Sequence, residues 1–248
     1  MLRFVDAQCI IGRRLYYREG SLQTQSDILE MMDRCHIDQA IACHSVSLEN
    51  DPMVGNLMLL EDTANTDRFL RQWSVLPHTF EEFPTPDVLL QSMKNNHVTS
   101  VRLCPGTYQH SLQPYVLGPL MQALAECYVP IFIDANQLTW DSLYHFCQDN
   151  PAASIVLTTS GYEYQRLLGP LLEACPNLYL GTNRYVSHNG IQKFCKTFGA
   201  SRLLFESAMP YYSAAAGVGL ICYAQISEEE KQLIASGNVL HLISEVTL

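Results

Sequence analysis

The chain has 248 residues, 48% hydrophobic and 16% charged, which is ample apolar material for a large core and excludes a disordered chain. A formal net charge of −10, with no concentration of Lys and Arg, argues against a nucleic-acid or anionic-membrane surface and leaves a small molecule or another protein as the expected partner. Nine cysteines occur without a CxxC pair, an odd number that cannot close entirely into intramolecular disulfides, so a reducing, cytoplasmic setting is expected.

Short apolar runs alternate with segments of helical period along the whole chain. The first strand is predicted at residues 3–8, and the opening lacks the basic region and long apolar run of a secretory leader. No later stretch approaches the roughly 20 apolar residues of a membrane span. Thr24 with Asp27 marks a helix start before Ile28, Met31, Met32 and Cys35. Strands follow at 39–44 and 71–76. The stretch 81–86 then reads as a loop with Pro86 near a helix start. Further strands are predicted at 100–104, 130–134, 154–158, 178–181 and 202–206; runs such as Ile131-Phe132-Ile133 and Ile155-Val156-Leu157 suit strands covered on both faces. Ser187 is placed as the cap of a helix carrying Ile191, Phe194, Cys195 and Phe198, ended by Gly199. The segment 213–220 has two glycines but not the third of a phosphate-binding GxGxxG, and is expected to be a close-packed loop or helix start. Ser227 and Glu230 form a capping box before Leu233 and Ile234, with a stop predicted at Gly237-Asn238. Eight strand–helix units predict an α/β fold, a (β/α)8 TIM barrel, as a single domain over residues 1–248; such a barrel commonly takes about 250 residues.

Particular motifs sharpen this. Val5-Asp6-Ala7-Gln8-Cys9-Ile10 resembles the first strand of the amidohydrolase-related family, metal-dependent hydrolases and decarboxylases on a TIM barrel, in which Asp-Ala is followed by a His-x-His pair. Pro130 to Asp134 is similar to that family's fifth strand, which ends in a ligand His, and Ile155 to Gly161 to its sixth, which supplies another. Phe198-Gly199-Ala200-Ser201-Arg202 to Pro210 resembles its eighth, which closes in Gly-Ser-Asp before a Pro. The resemblance implies a metal-assisted hydrolase, yet the five positions where ligands would stand hold Gln8, Ile10, Asp134, Thr159 and Ala208. Ile10 and Ala208 offer no lone pair, Gln8 and Thr159 are weak neutral donors, and one carboxylate does not hold a catalytic zinc. No metal and no cofactor are therefore expected, and the proton acceptor the family has at position 208 is lost as well.

Barrel function is expected at the C-terminal strand ends and the loops that follow. The strand tops there include Cys43, Cys104, Asn136, Thr158, Arg184 and Ser207. Asp134 and Glu206 are the candidate acid–base groups, and Gln8, His44, Arg102, Thr159, Asn183, Tyr108 and Tyr185 the candidate ligand contacts. Arg102 with the two acids reads either as a self-satisfied ion network filling the volume of the lost metal or as an anion anchor beside a general acid or base. His44 reads as a hydrogen-bonded structural residue or a pocket residue, and His78 as an exposed loop residue. Cys9, Cys43 and Cys104 read as apolar filler sooner than as nucleophiles. Tyr16, Tyr17, Tyr108, Tyr162, Tyr164, Tyr185, Tyr211 and Tyr212 fall in strand-to-helix loops, where they would grip a partly polar ligand, pack the loops or build a subunit interface. The expectation is a degenerate amidohydrolase-like barrel binding a small organic ligand, anionic ones included. The alternatives are a metal-independent hydrolase or lyase and a structural partner of an active relative, in keeping with a homo-oligomer.

Overall fold

The computed structural model describes residues 2–15 and 20–248. Eight parallel strands, β1 (Phe4–Ile11), β2 (Ile37–His44), β3 (Phe69–Ser74), β4 (Val98–Leu103), β5 (Ile131–Asp134), β6 (Ile155–Thr158), β7 (Leu178–Gly181) and β8 (Leu203–Leu204), follow one another in sequence order in one sheet. The Ala7 N–H donates to Phe205 O at 2.8 Å and the Ile10 N–H to Met209 O at 2.9 Å, bringing the last strand round to the first. The result is a (β/α)8 barrel. Its outer helices include α1 (Gln25–Arg34), α2 (Ser45–Glu49), α3 (Pro52–Asp62), α4 (Pro86–Asn95), α5 (Pro114–Glu126), α6 (Trp140–Asp149), α7 (Gln165–Ala174) and α8 (Gly190–Phe198). Among the described residues no helix is long and apolar enough to cross a membrane.

Apolar residues sort into two layers. The larger cluster fills the space between sheet and helices, with Ile131, Ile133, Ile155 and Leu157 facing outward onto helix residues such as Leu124, Leu143 and Leu168. A smaller cluster, Val5, Ala7, Ile41, Phe132, Val156 and Leu204, fills the lower barrel, and Val239 and Leu242 of the last helix, α11 (Asn238–Ser244), seal it from below. Above this plug the inward side chains turn polar. Arg102 lies over the Phe132 ring at 5.9 Å, which marks the boundary between floor and mouth.

The expected caps at Thr24 and Ser227 form as full capping boxes, and Pro86 opens α4. Several boundaries differ from the sequence reading: β2, β3 and β4 each begin two residues earlier than predicted, and four further differences have visible causes. β1 runs on to Ile11 because Cys9, Ile10 and Ile11 still pair with Ala42, Cys43 and His44. β8 stops at Leu204, since the Phe205 N–H turns to Ile234 O at 2.9 Å and leaves the ladder. No stop occurs at Gly237-Asn238: α10 (Glu228–Gln232) passes through a π-helical turn, Leu233–Gly237, straight into α11. Asn238 is buried there, its amide donating to Ala200 O and Leu203 O at 2.8 and 2.7 Å, so it ties the helix to the barrel foot. The helix predicted from Ser187 begins at Gly190 after Asn189 in the left-handed region (φ 54°).

Candidate active site at the barrel mouth

Asp134 ends β5 and collects the mouth around one oxygen. Its Oδ1 accepts from Arg102 Nη1 at 2.9 Å, Thr158 Oγ1 at 2.5 Å, and Gln8 Nε2 and Thr159 Oγ1 at 3.3 Å each. Arg102, on β4, is fully buried, and its Nε donates to Gln72 Oε1 of β3 at 2.8 Å. Burial works against the guanidinium charge, but Asp134, with Cys43, Cys104 and Glu206 nearby, outweighs it and holds the group above its ordinary value. Nη2 of Arg102 and Oε1 of Gln8 have no partner.

Glu206 follows β8 and is fully buried. The Thr159 N–H donates to its Oε1 at 3.0 Å, helped by Thr159 in the left-handed region (φ 53°), which turns that N–H across the mouth. Burial, then the nearby Asp134 charge, pushes the Glu206 carboxyl up to about 8 against the pull of the Thr159 N–H. Asp6 on β1 is also fully buried; its carboxylate takes the Ser207 N–H at 2.8 Å, the Ser207 hydroxyl and the Gln8 N–H at 3.1 Å, and burial still raises it to about 7. Gly181 is required where it stands. A Cβ there would lie 1.9 Å from Glu206 Oε2, so any side chain at the end of β7 would displace the carboxyl.

On the β7–β8 side of the mouth lies a cavity of about 350 Å³, lined by Glu206, Thr182, Asn183, Arg184, Tyr162, Val186, Tyr212, Ser213, Ala216, Gly217 and Leu220. Asn183 Nδ2 donates to Ser207 O at 2.8 Å, while its buried Oδ1 has no partner. Arg184, on the rim, pairs with Glu163. The apolar wall comes from α9 (Ala214–Cys222), the segment the sequence placed only as a packed loop or helix start. Its contribution carried no sequence signal beyond small residues in a row.

The nine candidate residues therefore divide. Gln8, Arg102, Asp134, Thr159 and Glu206 form one hydrogen-bonded network, and Asn183 joins Glu206 on the cavity wall. Three lie elsewhere. His44 caps α2, its Nδ1 accepting from the Val46 N–H at 3.1 Å and its Nε2 3.4 Å from Asp62; burial lowers its pKa, with Asp62 opposing. Tyr108 donates its hydroxyl to Ser47 O at 2.9 Å, and Tyr185 packs edge-on against Phe194 with centroids 6.3 Å apart. Of the other tyrosines, Tyr162 and Tyr212 line the cavity, Tyr164 packs at a tilt against Trp140, Tyr211 lies beneath Arg14, and Tyr16 and Tyr17 fall outside the described residues. His78 Nδ1 lies 2.5 Å from Phe83 O in its loop. Burial pushes the thiols of Cys43 and Cys104 up to about 11 and about 12, the opposite of an activated nucleophile.

The mouth does not fit the divalent cation that the family resemblance implies. Of the five ligand positions only Asp134 bears a charge, and its inner oxygen already faces the Arg102 guanidinium; Gln8 turns its amide nitrogen, not its oxygen, toward that carboxylate. Among the described residues no three His, Cys, Asp or Glu side chains converge as a metal-binding group. A fixed organic cation sits against the one carboxylate a metal would need.

No family model matches the chain, and no curated protein matches it. Solved structures do. The 5-carboxyvanillate decarboxylase of Sphingomonas paucimobilis shares the fold with a TM-score of 0.76 at 13% identity over all of both chains. The corresponding decarboxylase of Novosphingobium aromaticivorans, solved with manganese and 3-methoxy-4-hydroxy-5-nitrobenzoic acid, gives 0.80 at 14% identity, covering 98% of this chain and 97% of that one. A 4-oxalomesaconate hydratase from Rhodopseudomonas palustris gives 0.71 at 16%, covering 98% and 96%. At such identities the likeness is one of fold: this chain has the barrel of those small-molecule enzymes over its length.

Proposed function

We propose that this protein is a degenerate amidohydrolase-like barrel that binds a small organic ligand in the cavity beside Glu206 and works without a catalytic metal. The observation that carries this reading is the Arg102–Asp134 pair at 2.9 Å, in which a buried guanidinium takes the only charged member of the inherited ligand set. The cavity next to it combines an apolar wall with a few convergent polar groups, the usual character of a ligand site, and its size of about 350 Å³ suits a single ring with a short substituent. Two measurements test the reading together. Protein purified without a chelating tag and incubated with manganese or zinc is expected to retain far less than one ion per chain. A thermal-shift screen of small aromatic compounds is expected to give hits that Ala216→Trp, which fills the cavity, removes; stoichiometric ion uptake, or hits indifferent to that substitution, would count against it.

A second reading is a metal-independent hydrolase or lyase with Glu206 and Asp134 as acid–base groups and Arg102 Nη2, which lacks a partner, as anion anchor. It is favoured by the Glu206 carboxyl, which burial brings to about 8, close to the working range of a general acid or base. Turnover that persists in chelator and disappears in Glu206→Gln is its expected signature.

A further inference from the structure

We propose that the outer face of α3 docks a helical segment of another protein, one whose apolar stripe is bordered by Lys or Arg. This helix is turned inside out relative to its neighbours. α1 exposes Ser26, Glu30, Asp33 and Arg34, and α8 exposes Lys193, Lys196 and Thr197, the polar outer faces expected of surface helices. α3 instead exposes Met53 (42%), Val54 (49%), Leu57 (60%) and Met58 (37%), while Gly55, Asn56 and Leu59 are on its buried side. It cannot roll to hide the stripe. A Cβ on Gly55 would lie 2.1 Å from Ser47 N, and the Asn56 amide is clasped by the Ser74 backbone, donating to Ser74 O at 2.8 Å and accepting from the Ser74 N–H at 3.0 Å. Apolar side chains exposed singly are ordinary, but four together on one fixed helix face mark an interaction surface.

Residues four apart stand one above the other on a helix, which gives two adjoining rows, Met53–Leu57–Glu61 and Val54–Met58–Asp62, with a groove between them. Each row is apolar at two positions and ends in an acid, and Asp51 caps the opposite end of the helix. Such a groove takes the ridge of a second helix, and the unbranched methionines adapt to its side chains. The charges select which helix. Residues 45–62 hold Glu49, Asp51, Glu61 and Asp62 and no Lys or Arg. From the loop after β1, Arg14 pairs with Glu49 and Arg13 shares a cleft with Met58 and Asp62, so four acids stand against two arginines around the stripe. A second copy of this chain, itself of net charge −10, would bring the same acidic surround against it, and an anionic membrane surface would be repelled too. A segment with Lys or Arg beside its apolar stripe sets apolar against apolar and opposite charges at both ends.

The probes are two fluorescein-labelled peptides of about 18 residues, long enough to be helical, with leucine at the same i, i+3, i+4, i+7 positions and either Lys or Glu elsewhere. Each is titrated with the full chain at low ionic strength and followed by anisotropy. The Lys peptide is expected to bind at least about tenfold more tightly than the Glu peptide. Leu57→Lys should weaken the Lys peptide at least about tenfold, and Glu61→Lys at least about threefold. Glu173→Lys makes the same charge change at an exposed position of α7, and should leave binding within about twofold. Met53→Lys, one turn away on the same row as Leu57, repeats the test should Leu57→Lys fold poorly. Equal binding of the two peptides, no binding of the Lys peptide, indifference to the α3 substitutions, or a loss in Glu173→Lys as large as in Glu61→Lys overturns the assignment. So does a dimer in sedimentation velocity that Leu57→Lys or Met53→Lys removes, because it seats a second copy on this face.

Discussion

At Arg102 the guanidinium is fully buried and depends on Asp134 for its counter-charge. Removing one member of such a pair leaves the other buried and uncompensated, which typically destabilises by roughly 3–5 kcal/mol, whereas replacing both by apolar groups is often close to neutral. Asp134→Ala is therefore expected to lower the urea midpoint strongly, and the double variant Arg102→Met with Asp134→Ala to recover much of the loss. If the two substitutions simply add, the pair is not what holds the mouth together. The residues of this network could be picked out from sequence because a charged or amide side chain at the end of an apolar strand is rare and has few places to go. His44, Tyr108 and Tyr185 satisfied the same criterion but are claimed by local partners: a helix N-terminus, the Ser47 carbonyl and the Phe194 ring. Those partners depend on how loops fold back, which strand position does not encode.

Among the elements, β7 and β8 matter most for the cavity. Gly181 lets the Glu206 carboxyl lie against the β7 backbone, with Oε2 only 1.9 Å from where a Cβ would be. Gly181→Ala is expected to push Glu206 into the cavity, destabilising the fold by roughly 1–3 kcal/mol as overpacked buried sites do, and to abolish ligand-induced thermal shifts. An unchanged melting temperature with ligand binding intact would mean the carboxyl has another resting place. The strands themselves were readable from continuous apolar runs of β-branched and aromatic residues. Their ends were not, since β8 is cut short by a hydrogen bond from Phe205 to Ile234, a partner in a distant helix. Gly237-Asn238 misled for a related reason. Its turn chemistry is overridden by the two hydrogen bonds that bury the Asn238 amide.

For the molecule as a whole, two fully buried carboxyls set the pH response. Asp6 rises from 3.8 to about 7 and Glu206 from 4.5 to about 8, so the folded state holds protons that the unfolded chain releases. Their contribution is complete below the unfolded values and is lost as pH rises through the folded ones, by about 1.4 kcal/mol per pH unit for each group. Urea midpoints are expected to fall from about pH 5 to about pH 8, and Asp6→Asn or Glu206→Gln to flatten the slope. A midpoint that climbs over the same range would show both carboxyls ionised in the native state.

Asp6 and Ser207, joined across the seam, stand 201 positions apart in the chain. During synthesis on a ribosome the first strand must wait, solvated and unpaired along one edge, until almost all of the protein has been made. The latch that completes the barrel is a carboxyl gripping the turn after the last strand. Closure is thus a late event that couples the two ends of the polypeptide, and a nascent chain stalled before residue 207 has no means of making it.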